Sequence, residues 1–181
     1  MSLTQNNPSN LQKKVERYKE VLDNTNKYRL AWKTELKTFI INQLQTLIDA
    51  SGMTATVEER GELSNMEAVV LSMGISESGL AEPLSKTMNR QLIKNNGSLV
   101  YQQLFNGKIL VALNMPFIEK YGQPQPAKTL AIYRPEELKE PYILQHVETF
   151  INDITHWEDY DDDLVDPNQR IGFKANFEGN K

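Results

Sequence analysis

Reactive chemistry in this chain has few side chains to draw on: there are two histidines, His146 and His156, and no cysteine. With Thr149 and Asp153 the histidines follow steps of three, four and three, so His146, Asp153 and His156 share one polar stripe of a helix. Two imidazoles and a carboxylate are a Zn²⁺ ligand set, but His146 and His156 are nearly three turns, about 15 Å, apart. They cannot hold one ion together. Asp153 and His156 make at most half a site, so neither a metal nor any other cofactor is expected.

The other motifs fail on equally specific grounds. Asp159, Asp161 and Asp163 have the 1, 3, 5 spacing of a calcium loop, but Leu164 stands where that loop needs Gly and Arg170 where it needs Glu. That run reads as a solvated acidic linker. Gly74-Ile75-Ser76-Glu77-Ser78-Gly79 comes near the nucleophile elbow, yet its second Gly falls one position late and Leu80-Ala81-Glu82-Pro83 follows in place of a helix. The stretch reads as a polar loop, long enough to contribute to a binding surface. Glycine-rich phosphate loops are missing, and no pair of carboxylates is singled out as acid and base. No catalytic residue is assigned, and the sequence points away from an enzyme.

Partner chemistry is only slightly better marked. Arg29, Lys33 and Lys37 lie four apart beside Tyr28 and Trp32, a pattern suited to phosphate contact and base stacking, but a net charge of −4 and a pI of about 5.3 argue against nucleic acid. Phe117 and Tyr121 lie on the Pro-stiffened stretch Pro116–Pro126, where they either edge a groove or pin the loop to the core. The residues with a binding role to offer are therefore Ser76, Glu77, Ser78, Phe117, Tyr121 and Trp32.

These side chains are positioned by elements that the apolar pattern makes visible. From Leu11 to Ala50 the spacing is helical: Leu11, Val15, Tyr18, Leu22, then Trp32, Leu36, Phe39 or Ile40, Leu44 and Leu47. Between the two sets, Asp23-Asn24-Thr25-Asn26-Lys27 has poor helix formers and predicts a break or kink. The alternative is one continuous helix of about 40 residues, about 60 Å, too long for a domain of this size to cover and hence dimerising. Ser51-Gly52 ends the helix in either case.

Beyond Gly52 the period changes to two. Strands are expected at Met53–Glu58, Met66–Met73, Thr87–Lys94, on both sides of Asn106-Gly107, and at Ala127–Tyr133, with Gly74–Lys86 a long loop. Asn106-Gly107 between apolar runs predicts a tight type I′ turn, and the strand after it, apolar on both faces, should be covered on both. A second helix opens at Arg134-Pro135 and restarts at Pro141, with Ile143, Val147, Phe150, Ile154 and Trp157 on its apolar face.

The expected fold is α+β: an antiparallel meander of five to six strands with a long N-terminal and a C-terminal helix on one face. Residues 1–9 read as a disordered N-terminus, 10–157 as one domain, and 158–181 as acidic linker and tail. The ends differ in sign, with eight Lys/Arg against five Asp/Glu in Met1–Ala50 and eleven acids against Lys139 alone in Pro135–Pro167. With no apolar run of membrane-spanning length and no signal-peptide pattern at the N-terminus, a cytoplasmic location is expected. The functional expectation is a non-catalytic interaction module, a homodimer that binds a protein partner through its sheet face or first helix. The alternatives are a carrier of a small apolar or amphipathic ligand between sheet and helices, and an enzyme of unknown class.

Overall fold

The structure, a computed structural model, describes residues 8–160. The first seven residues, the acidic run from Asp161 onward and the tail with Ile171, Phe173 and Phe177 lie outside the described residues.

One helix in three segments opens the chain: α1 (Pro8–Ala31), a π-helical turn (Trp32–Leu36) and α2 (Lys37–Ser51), about 66 Å in all at 1.5 Å per residue. The break expected at Asp23–Lys27 is not there. Asp23 and Lys27 form an i, i+4 ion pair of 2.7 Å in the helix-favouring order, and the Thr25 hydroxyl donates to the Val21 carbonyl at 3.0 Å. The turn around Gly107 also presses on this segment. A Cβ at Gly107 would stand 2.7 Å from Tyr28 Cβ, and Arg29 Nη2 donates to the Phe105 carbonyl at 2.6 Å. Tertiary contact here overrides weak intrinsic propensity.

The irregularity falls instead at Trp32–Leu36. Trp32, Leu36, Ile40, Leu44 and Ile48 recur every four residues and are all buried. With 3.6 residues per turn such a stripe drifts around a regular helix. The π turn, closed by the Lys37 N–H on the Trp32 carbonyl, takes up extra residue length and keeps the stripe on the sheet. Gly52, at φ 70°, ends the helix with its N–H on the Ile48 carbonyl at 3.0 Å.

Eight strands follow: β1 (Thr56–Arg60), β2 (Ala68–Ser72), β3 (Ile75–Ser85), β4 (Met88–Asn95), β5 (Ser98–Gln103), β6 (Ile109–Asn114), β7 (Phe117–Ile118) and β8 (Lys128–Tyr133). A 3₁₀ turn (Pro135–Glu137) then leads into α3 (Glu140–Glu158). Five strands form an antiparallel sheet in the order β1-β2-β5-β6-β8, and β3-β4-β7 form a second sheet. The first is a meander with two excursions. Its inner face presents Val69 and Leu71, Leu99 and Tyr101, and Ile109, Val111 and Leu113, which share one core with the stripe of the first helix and with Ile143, Val147 and Phe150 of α3. The fold is α+β, with the long first helix and α3 on one face of the sheet.

Three local expectations are corrected. Gly74–Lys86 is no loop, because most of it is β3, and the register of β2–β5 runs on into β3–β4: Ser72 pairs with Ser98 and Ile75 with Asn95. Gly74 (φ 71°) and Gly97 (φ 90°) stand where this long hairpin leaves the sheet as an arm. Pro83 is tolerated because β3 is an edge strand.

The β5–β6 connection is no two-residue type I′ turn. Leu104 N–H bonds the Lys108 carbonyl and Gly107 N–H the Leu104 carbonyl, both at 2.8 Å, and of Asn106 and Gly107 only the glycine has positive φ, 77°. That is a three-residue loop with glycine at its left-handed position. Finally, the helices cover β6 on one face; on the other Ala112 is buried and Leu110 half-buried, so the expected cover there is partial, and it ends at Ile132 on β8, 54% exposed.

Gly107 therefore joins the hairpin to the helix. Gly107→Ala should lower the unfolding free energy by about 2 to 4 kcal/mol, through left-handed strain plus the clash on Tyr28. Gly79→Ala, at φ 77° but in open space, should cost only the strain, about 1 to 2 kcal/mol. Urea denaturation of the two variants measures the difference; equal losses would mean that the helix contact contributes nothing.

Candidate functional site

The inward face of α3 carries His146 together with Ile143, Val147 and Phe150, and the imidazole is only 5% exposed. Tyr101 Oη lies 3.2 Å from Nδ1 and Tyr133 Oη 3.1 Å from Nε2. A neutral ring has one donor and one acceptor nitrogen, and the two hydroxyls satisfy both. Burial disfavours the imidazolium and pushes the His146 pKa down to about 4. It also pushes the phenols of Tyr101 and Tyr133 up.

Gln103 is fully buried on the same face of β5 as Tyr101 and shares a cross-strand row with Ile109 and Tyr133, but among the described residues its amide makes no hydrogen bond to this group. The cluster pins α3 to β5 and β8 from inside the core, with Leu99, Leu138 and Phe150 buried in the same cluster.

The polar stripe expected for His146, Asp153 and His156 is thus corrected. His146 faces inward, Asp153 pairs with Lys128 of β8 at 2.7 Å, and His156 is exposed beside Asn152. Steps of three and four put all three within a broad arc of the helix, and apolar burial decided which edge of that arc turned inward. Among the described residues no group of three or more His, Asp and Glu is placed to hold a metal ion.

Of the six candidate binding residues, four meet at the base of the arm. Ser76, Glu77 and Ser78 lie on β3, Phe117 on β7, and β4 runs between them, with Ser76 opposite Lys94 and Lys94 opposite Ile118. Tyr121 bridges to Ile118 just beyond. Ser76 Oγ donates to Asn96 Oδ1 at 3.1 Å and Ser78 Oγ to the Leu92 carbonyl at 2.7 Å, so both hydroxyls are engaged in holding the hairpin.

An ion network braces the same arm. Glu82 accepts from Arg90 at 2.8 Å and Lys120 at 2.7 Å, and Arg90 reaches Glu119 at 2.9 Å; these cations hold the carboxyls of Glu82 and Glu119 below their usual range. Trp32, the sixth candidate, is part of the core at 1% exposure.

What the protein presents outward is apolar surface. On α1, Leu11 (66% exposed), Val15, Tyr18 (63%) and Leu22 form a bare stripe that continues the buried stripe of the same helix. On the outer face of the five-stranded sheet Val70 (1% exposed), Ala112 (6%) and Ala68 (8%) are buried and Val100 and Leu110 half-buried, while Ile132 on β8 is 54% exposed. Between sheet and helices Trp32, Tyr101, Phe150 and Ile40 are all fully buried. A cavity of about 650 Å³ lies between the first helix and the 3₁₀ turn.

The class of protein that this geometry defines is an α+β domain with a buried core shared by sheet and helices and an exposed apolar stripe on its first helix. No family model matches the chain, and no curated protein or solved structure matches it. Among the described residues no helix is long and apolar enough to cross a membrane.

The buried imidazole carries a pH signature. With a folded pKa near 4 against an unfolded value near 6.5, the unfolded chain binds more protons between these limits, so stability is full above pH 6.5 and is lost as pH falls toward 4. The expected slope approaches 1.4 kcal/mol per pH unit, for about 3 kcal/mol in all. Denaturant titrations of the wild type and His146→Gln across pH 4 to 7 measure it; parallel curves for the two proteins would refute the assignment.

Proposed function

We propose that this chain is a non-catalytic protein-interaction module that pairs with a second copy of itself through α1. The observation that carries the reading is the bare stripe of Leu11, Val15, Tyr18 and Leu22. Its steps of four, three and four are those of the a and d positions of a coiled coil. The same helix buries its later stripe in the core, while among the described residues its first half stays exposed.

Charge selects the orientation. In a parallel pair the flanking positions would set Lys14 of one helix against Lys19 of the other, a like-charge contact. In an antiparallel pair Leu11 lies opposite Leu22 and Val15 opposite Tyr18, while Lys14 meets Val21 and Gln12 meets Lys19. The antiparallel arrangement is also a closed two-fold, which ends in a dimer and not a filament. The outer sheet face is then left for a protein partner, with the exposed Ile132 on the edge strand β8 and Glu58 and Arg60 on the edge strand β1 at its rims. We place the module in the cytoplasm, since a cysteine-free chain needs no oxidising compartment.

Size-exclusion chromatography with light scattering at tens of micromolar should give twice the chain mass, and Val15→Glu with Leu22→Glu should halve it without lowering the melting midpoint. A strict monomer of the unmodified chain would end the dimer reading. Orientation has its own test: Leu11→Cys chains mixed with Leu22→Cys chains should crosslink to each other in the antiparallel pair, whereas efficient crosslinking of Leu11→Cys alone would mean a parallel one.

A further inference from the structure

We infer that the first helix and the β8–α3 connection form a binding trough for an amphipathic anion, a long-chain carboxylate by chemical class. The 650 Å³ cavity has Tyr28, Ala31 and Phe39 of the helix on one side and Pro135 and Leu138 of the connection on the other. A second cavity of about 240 Å³ shares Asn24 and Tyr28 with it and ends at Arg17, Lys108 and Arg134. Arg134 and Pro135 are chain neighbours, so the two cavities abut on both walls and run along the helix from Arg17 to Phe39, about 33 Å at 1.5 Å per residue.

The ends of this trough differ in chemistry. Around the larger cavity stand two lysines, Lys27, paired with Asp23, and Lys139, and two glutamates, Glu35 and Glu136; the rest of its lining is apolar but for Asn24 and the Tyr28 hydroxyl. In the smaller one Arg17 is paired with Glu20 at 2.6 Å, but no ion pair among the described residues involves Lys108 or Arg134. A trough with Tyr28, Ala31, Leu36, Phe39, Pro135 and Leu138 at one end and two cations outside any described ion pair, Lys108 and Arg134, at the other fits a ligand with an apolar body and one anionic head. A neutral lipid would leave the cations unused, and a small anion would leave the apolar end empty. The larger volume lies within the range of small-molecule sites, and Ala31, Glu35 and Leu36 on its wall belong to or adjoin the π turn, a feature that recurs at functional sites. This site uses none of the four residues of the proposed dimer stripe.

Isothermal titration of the full chain with dodecanoate, below its micelle concentration, tests the inference, with dodecanol and acetate as comparisons. Dodecanoate should bind once per chain, at least about 10-fold tighter than dodecanol, and acetate should not bind. Lys108→Gln with Arg134→Gln should remove that preference and leave dodecanol affinity unchanged. Ala31→Phe should abolish both; Glu35→Trp, at an exposed position on the same wall, replaces it if Ala31→Phe lowers the melting midpoint. Equal affinity for acid and alcohol, several ligands per chain insensitive to these variants, or no binding of dodecanoate would each overturn the trough. Val15→Glu with Leu22→Glu should still bind dodecanoate, so loss of the dimer and loss of the ligand are read separately.

Discussion

The contact on which the rest of this molecule depends is the stripe Trp32, Leu36, Ile40, Leu44 and Ile48 laid on the inner face of β2, β5 and β6. Each of these side chains is buried, and complete burial of a residue of this kind is worth about 1.5 to 3 kcal/mol relative to exposure. Steps of four drift slowly around the regular helix that carries Ile40, Leu44 and Ile48, and the π turn corrects that drift where Trp32 and Leu36 extend the stripe. Because that turn sets the rotation of everything before it, the same contact decides which side of α1 meets the Gly107 loop and which side is left bare. His146 plays the corresponding part for α3, since two tyrosines on two different strands fix both the tilt and the rotation of its helix.

Two parts of the chain extend beyond this core, and they are held by different physics. α1 persists past the sheet because helix growth from an existing helix needs no new nucleus, each residue adding one backbone hydrogen bond. The β3–β4 arm persists because its ladder begins in register with β2–β5 and needs no new loop closure at its base. Its polar edge is braced by the Glu82, Arg90, Glu119 and Lys120 network, whose members are partly exposed and contribute modestly one by one. The core thus supplies rigidity to both extensions without covering either, which is how apolar side chains such as Leu11, Leu84 and Met88 come to face solvent.

The elements marked by a near-continuous apolar run or by apolar residues at helical spacing were readable in the sequence. β2, β6, α3 and the stripe from Trp32 onward fall where the apolar spacing places them, as does the grouping of both helices on one face. The arm was not readable, because β3 contains Ser76, Ser78, Gly79 and Pro83 and its strand state comes from a partner strand and not from local preference. Asp23–Lys27 misleads for the same reason: its poor helix formers are held by an ion pair, a hydroxyl and a loop from 80 residues further on. For His146 the spacing fixed an arc of the helix but not the edge of it that turns inward. The trough had no sequence signal at all, since its walls come from the first helix, the β5–β6 loop and the β8–α3 connection, three places that no local window joins.

The proposed function rests on binding energy, and the two side chains whose titration burial shifts most, Tyr101 and His146, lie within hydrogen-bond distance of each other inside the core. The two surfaces proposed for binding are independent in composition but not in mechanics. The dimer stripe and the trough both use α1, with Val21 lining the trough and also flanking the stripe. A ligand seated between Arg17 and Phe39 restrains the exposed half of the helix and so lowers the entropy lost when a second copy packs on it. Linkage makes the effect mutual: if the ligand strengthens pairing by some factor, pairing strengthens ligand binding by that same factor. The size of that factor is set by how freely α1 moves before either binds, which in turn depends on the single clamp of Gly107 and Phe105 against Tyr28 and Arg29.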